Sequence, residues 1–288
     1  MAVMTEAWLH DADGAALFYR EWLVENACGA VQIVHGLGEH SGRYGELAAL
    51  FNAMGLSVRA QDHRGHGRSD GARGSIDKGE DFLLDLKQSF AHFSHATNSV
   101  PFLFGHSMGG LIAARFATGG FGPVRGLMLS SPALAIRLSR FQRVLLALGS
   151  ALAPGLAISS GLPPEGITHD PEVLRSSRED TLNHSSVSSR VVRFMLDAIA
   201  RCQADAPQLT IPVLLQVAGN DSLVDASGSK RFFAQLPEGR KTLHWYAEAY
   251  HEIFNESQPL RQRVQQDLIA WMEVEIGREQ RVMLTCVA

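Results

Sequence analysis

One serine in this chain stands where its hydroxyl could become a nucleophile. Gly105-His106-Ser107-Met108-Gly109 is a G-x-S-x-G run. Pro101 to Phe104 before it reads as a buried strand, and Leu111 to Ala117 after it reads as a helix. A strand, turn and helix in that order make a turn so tight that the positions two before and two after the serine tolerate little more than glycine. The turn lifts the hydroxyl clear of the sheet. It also aims the positive end of the following helix at any negative charge that develops there.

A serine hydroxyl is a weak nucleophile, so it needs a base, and the base needs a carboxylate to orient it. Where such an elbow occurs, the chain order is serine, acid, histidine. His251, in a loop between the last strand and the last helix, is the candidate base. Asp221 closes Ala218-Gly219-Asn220-Asp221 just past the strand that starts at Val213. It therefore falls at the carboxyl edge of the sheet, where sites on open α/β sheets form. Asp225 is the rival acid, with a turn or capping role as its alternative. His244 reads as a packed or sheet-surface residue. His184, His169, His92 and His95 fall in an insertion or on helices and read as remote from that edge.

Acyl transfer through a serine also needs two backbone donors for the oxyanion. The N–H of Met108 supplies one. The N–H of Leu37, in the strand-end loop His35-Gly36-Leu37-Gly38, is the candidate for the other, with His35 bracing that loop. The run Asp62-His63-Arg64-Gly65-His66-Gly67-Arg68-Ser69-Asp70 resembles a metal cluster at first sight. Its Gly and Arg interruptions present no imidazoles on one helical face, so it reads as a hydrogen-bonded loop that shapes the sheet edge. No cofactor and no metal are expected.

The elements that must position these residues follow from hydrophobic period. A hairpin is expected over 7–24 around the turn Asp11-Ala12-Asp13-Gly14, and strands over Ala30–Val34, Ser57–Gln61 and Val124–Ser130. Helices are expected over Tyr44–Met54 and 81–95, the second with Phe82, Leu83, Leu86, Phe90 and Phe93 on one face. The alternation resumes with strands at Val213–Val217 and Leu243–Tyr246 and helices near 228–236 and 260–276. Such alternation predicts a parallel sheet covered on both faces. From Ala133 to about Pro207 no strand-like run occurs, which predicts a helical cap over 133–207 between core segments 1–132 and 208–288. Within it Arg137, Arg140 and Arg143 share one helical face, and Phe141, Val144, Leu145 and Leu148 another.

Composition narrows the partners. The chain has 288 residues, 45% hydrophobic and 19% charged, with a net charge of -4, so nothing argues for nucleic acid. Cys28, Cys202 and Cys286 are far apart and odd in number, which disfavours a disulfide framework or a thiolate zinc site and suits a reduced, cytoplasmic setting. Met1 to Gly14 lacks the basic start and apolar core of a secretory signal. The apolar stretch Val144–Ser159 is broken by Gly149, Pro154 and Gly155 and is shorter than the ~20 residues a spanning helix needs.

The chain resembles the monoacylglycerol lipase and lysophospholipase group of α/β-hydrolases, which also carries the serine aminopeptidase label. The matching stretches are His35-Gly36-Leu37-Gly38-Glu39-His40-Ser41-Gly42-Arg43-Tyr44, Asp62 to Gly71, Gly105 to Gly110, and Ala249-Tyr250-His251-Glu252. The resemblance implies the α/β-hydrolase fold, Ser107, Asp221 and His251 as a triad, Leu37 and Met108 as oxyanion donors, and a cap whose apolar face meets lipid. Many relatives carry a smaller residue where Leu37 stands, which implies a narrower pocket here. The implied substrate is a lipid ester such as a monoacylglycerol or lysophospholipid. The alternatives are a small-molecule ester or thioester, or a peptide cut from its N-terminus with Glu165, Asp170 or Glu172 holding the amine. A non-catalytic binder of a small apolar ligand is the reading from another class. The stretch Ile136–Ile158 either rests on a membrane surface or packs down onto the core.

Overall fold

The protein is described as a computed structural model covering residues 3–11 and 13–286, with the side chains of 279–286 not described. Met1 and Ala2 of the expected N-terminal stretch, Ala12 of the expected turn and the side chain of Cys286 lie outside the described residues. The first part of the chain forms β1 (Met4–His10), β2 (Ala16–Trp22), β3 (Gly29–Val34), α1 (Gly45–Ala53), β4 (Leu56–Gln61), α2 (Asp81–Thr97), β5 (Phe102–His106), α3 (Ser107–Thr118) and β6 (Leu127–Ser130). The middle contributes α4 (Arg140–Leu152), β7 (Ala157–Ser159), α5 (Pro171–Glu179), β8 (Ser186–Ser188) and α6 (Ser189–Asp205). The chain then returns with β9 (Val213–Ala218), α7 (Ser227–Gln235), β10 (Lys241–Tyr246) and α8 (Leu260–Cys286).

The eight long strands make one sheet in the order β1-β2-β4-β3-β5-β6-β9-β10. The N-terminal hairpin joins antiparallel, and from β4 onward every pairing is parallel. Strands β3, β4, β5, β6 and β9 are buried along their whole length. Strands β5, β6 and β9 accordingly read as mostly apolar runs, whereas β4 alternates apolar and polar residues and still buries Arg59, which bonds Glu21 and the Ser89 carbonyl. On one face Phe82, Phe90, Leu111, Ile112, Phe194 and Phe232 pack against Val34, Leu103, Leu129 and Leu215. On the other, Leu47, Phe51, Leu268 and Met272 pack against Val31, Val58, Phe104 and Leu214. This is the mostly parallel, helix-flanked sheet of the α/β-hydrolase fold.

Register decides what the fold presents. His106 pairs with Ser130, Ser130 with Gln216, and Ala218 with Tyr246. The carboxyl ends of β5, β6, β9 and β10 therefore line up along one rim, and the loops that leave them hold Ser107, Asp221 and His251.

Three local differences from the sequence expectations have physical causes. Helix α3 begins at Ser107 rather than near Leu111, because the elbow completes its turn within one residue. The segment 133–207 is not purely helical: β7 and β8 form a two-stranded antiparallel ribbon in which Ala157 faces Ser188. Strands of three residues are too short to leave a periodic signal. Finally, Ser139 caps α4 through a reciprocal capping box with Gln142, so the helix starts after Arg137. Arg137 consequently does not share a helical face with Arg140 and Arg143; it pairs with Asp225 at 3.3 Å.

Candidate active site

The elbow is visible in the backbone. Ser107 has φ 55°, the left-handed region that non-glycine residues rarely occupy, at a cost on the order of 1–3 kcal/mol. The surrounding packing enforces it. A Cβ on Gly105 would come 2.5 Å from the Gly109 carbonyl oxygen, and one on Gly109 would come 2.2 Å from that of Val34. Both flanking positions must therefore be glycine if strand and helix are to cross this closely.

Thirty residues apart in sequence, His251 and Asp221 meet in a 2.6 Å hydrogen bond from imidazole Nδ1 to carboxylate Oδ2, and both side chains are almost wholly buried. The other Asp221 oxygen, Oδ1, accepts from the N–H groups of Leu223 at 2.8 Å and Val224 at 3.0 Å. Burial works against the Asp221 charge, but the His251 bond and the two amides outweigh it and hold the carboxyl below its usual range. A charged carboxylate at Nδ1 assigns the ring proton to that nitrogen and leaves Nε2 free to accept. The His251 ring lies 4.8 Å, centroid to centroid, from that of His106, the residue before Ser107. Asp225, by contrast, pairs with Arg137 and accepts from the Ser227 amide at 3.1 Å. It takes a turn role just ahead of α7, whose N-cap position is Ala226.

The loop after β3 passes against the serine: a Cβ on Gly36 would stand 3.2 Å from Ser107 Cβ. Leu37 and Met108 both line the cavity into which Ser107 faces. His35 braces this loop. Its Nε2 accepts from the His63 amide at 2.9 Å, so Nδ1 carries the proton and donates to the Gly36 carbonyl at 2.8 Å. Burial holds the His35 pKa well below its usual value, so the ring is neutral.

The family model described as serine aminopeptidase, S33, matches residues 25–258. The chain belongs to the S33 hydrolase family. It is 30% identical to a monoacylglycerol lipase of Mycolicibacterium smegmatis, covering 90% of this chain and 93% of that protein. It is also 30% identical to phospholipase YtpA of Bacillus subtilis, over 82% of this chain and 92% of that protein. Among solved structures, the monoacylglycerol lipase of Paleococcus ferrophilus superposes with a TM-score of 0.82 at 33% identity, covering 90% of this chain and 99% of that one.

Elsewhere in this S33 hydrolase the histidines correct one expectation. His184 and His169 are not remote from the sheet edge. The His184 amide donates to the Gly38 carbonyl at 2.8 Å, and its ring lies 4.6 Å from that of His66. His169 stacks on Tyr250 at 3.6 Å and bonds Glu256 at 2.9 Å, beside the loop of His251. No local pattern signals either contact, because both join segments far apart in sequence. His92 on α2 bonds Arg59, and His244 lies near Asp267 on the sheet surface.

The loop 62–70 closes on itself. Asp62 Oδ1 accepts from the Ser41 amide at 2.7 Å and the Ser41 hydroxyl at 2.5 Å, and its Oδ2 from the Arg68 amide at 2.8 Å. Ser69 Oγ donates to the Asp62 carbonyl and accepts from the Phe18 amide. The suggested amine anchors are engaged elsewhere: Glu165 pairs with Arg178, Glu172 with Arg175, and Asp170 caps α5. The acids that do line the cavity are Glu39, Asp180 and Glu252, beside Arg43, and sequence reasoning assigned none of these four a role.

The cavity holds about 500 Å³, within the ~300–1,000 Å³ of small-molecule sites. Its walls mix core and middle-segment residues, with Leu37, Met108, Leu162, Val187, Met195 and Leu223 giving it an apolar lining.

Proposed function

We propose that Ser107, His251 and Asp221 form a catalytic triad that hydrolyses a single-chain lipid ester, a monoacylglycerol or lysophospholipid, with Leu37 and Met108 as oxyanion donors. The observation that carries this reading is the buried 2.6 Å Asp221–His251 bond, with His251 lining the same cavity as a left-handed Ser107. Ser107 Oγ attacks the acyl carbonyl while His251 Nε2 takes its proton. The Leu37 and Met108 amides receive the oxyanion, and His251 returns the proton to the leaving alcohol. Water then repeats the sequence on the acyl-enzyme and releases the fatty acid. Asp221 stays charged throughout and stabilises the imidazolium.

Residues 133–207 act in this reading as a cap over the cavity, since Ile136, Leu162, Val187 and Met195 supply one of its walls. No described helix is long and apolar enough to cross a membrane. Contact with lipid would be peripheral, through Phe141, Val144, Leu148 and Leu152 on α4 and the neighbouring Leu156, all solvent-exposed. The names of the relatives above support the lipid class, and the apolar lining supports a fatty acyl chain over a peptide.

A fluorophosphonate probe should label the wild-type protein at Ser107 and leave Ser107→Ala unlabelled. A panel of 1-monooleoylglycerol, lysophosphatidylcholine, p-nitrophenyl butyrate and an aminoacyl anilide then ranks the substrate classes. Preference for the anilide would overturn the lipid assignment, and labelling of Ser107→Ala would overturn the triad.

A further inference from the structure

Arg43 joins the two loops that the proposed mechanism must hold at a fixed separation. Its Nη1 donates to Glu39 Oε2 at 2.9 Å and to Glu252 Oε1 at 2.8 Å, and its Nη2 donates to Glu252 Oε2 at 2.8 Å. Glu252 directly follows His251. Glu39 stands two residues after Leu37, and its second oxygen accepts from the Gly36 amide at 2.5 Å and from the Tyr44 hydroxyl at 2.7 Å. An unbroken chain of hydrogen bonds therefore runs from the amide beside Leu37, through one guanidinium, to the neighbour of His251.

Two carboxylates on one buried arginine are not an economical way to stabilise a fold, because desolvating the charges offsets most of their attraction. Burial works against the Glu252 charge, yet Arg43 outweighs it and holds the carboxyl below its usual range, so the pair is ionised. The planar fork of arginine fixes the direction as well as the distance of its partners, which an ammonium group does not. Nothing in the bonding requires a substrate to be present.

We propose that Arg43, Glu39 and Glu252 are positioning residues: a strut that sets the distance between the oxyanion loop and the loop of the general base. The proposal rests on the triad reading above and deepens it. On this view the strut acts on turnover and is indifferent to the leaving group.

The test uses the full chain with Glu39→Gln, Glu252→Gln and the double variant, near-isosteric changes that keep the site packed. Each is assayed on p-nitrophenyl butyrate and on 1-monooleoylglycerol. Each single variant is expected to lose about 10- to 100-fold in kcat on both substrates, with KM within about twofold. The double variant should fall no further than the worse single one, because both cut the same connection. Arg43→Lys should retain more activity than Arg43→Gln. Losses confined to the glycerol ester, or residing in KM, would make these residues a head-group contact and overturn the strut. Losses that multiply in the double variant would overturn it too. Ser107→Ala in the same assays tests the underlying reading separately: if it stays active, the triad fails whatever the strut variants do.

Discussion

Helices α3 and α4 are nearly equal in length, at 12 and 13 residues, and both are rich in apolar side chains. Yet nine residues of α3 are buried, whereas α4 has none. The difference is one of partners. Helix α3 lies between the sheet and α6, so Leu111, Ile112 and Phe116 meet β-strand side chains on one side and Val191, Phe194 and Ala198 on the other. On α4 the residues Phe141, Val144 and Leu148 are 70%, 57% and 53% exposed. Chemistry in this molecule is placed where backbone strain can be enforced from all sides. The exposed apolar surface lies on α4, where no described residue covers it. Helix α6 connects the two regimes, because it follows α4 in the middle of the chain and still buries its apolar stripe against α3.

This contrast can be broken in several ways. The largest effect belongs to the core rim: Asp221→Asn should lower kcat on the order of 10³- to 10⁴-fold by releasing the His251 tautomer, while Asp225→Asn stays within about twofold. Steady-state kinetics on p-nitrophenyl butyrate decide it, and a reversed ranking would move the acid to position 225.

Acid should act next, again on the core. Burial lowers His63 and His106 to about 4 from the usual 6.5, and pushes His35 and His66 down as well. Folded-state pKa values below the unfolded ones mean stability that is complete above pH 6.5 and lost as pH falls toward 4. At pH 5 each of His63 and His106 should cost about 2 kcal/mol of folding free energy. Urea midpoints at pH 7, 6 and 5 should decline in step, and a constant midpoint would contradict the buried neutral state.

Packing comes third. Leu111→Ala on α3 should destabilise by about 2–5 kcal/mol, whereas Leu148→Ala on α4 should stay within about 0.5 kcal/mol. Thermal or urea unfolding of the pair would erase the contrast if both fell equally. Last comes Ser139→Ala, which removes the α4 cap at a cost of about 1 kcal/mol to that helix alone. Hydrogen exchange should register it in the first turn of α4 and leave α3 unchanged.

Much of the fold was legible because its signals are local. The elbow is five residues long and is flanked by the strand and helix that give it meaning, and buried strands such as β5, β6 and β9 announce themselves as apolar runs. The hidden parts are non-local. The β7–β8 ribbon is too short for a period to emerge. The contacts of His184 with Gly38 and of His169 with Glu256 span segments that no window of sequence joins. Arg43 and Glu252 lie 209 positions apart, so nothing near either one signals that they pair.

The sequence by itself determined which residues can carry the chemistry and the order in which they occur, because residue type and neighbouring backbone are local properties. Only the tertiary structure decided that Asp221 rather than Asp225 meets His251, and that one arginine ties the loop of Leu37 to the loop of His251. Those outcomes depend on the parallel register that brings the carboxyl ends of β3, β5, β9 and β10 to one rim. That register is a property of the whole sheet, settled by burying both of its faces at once.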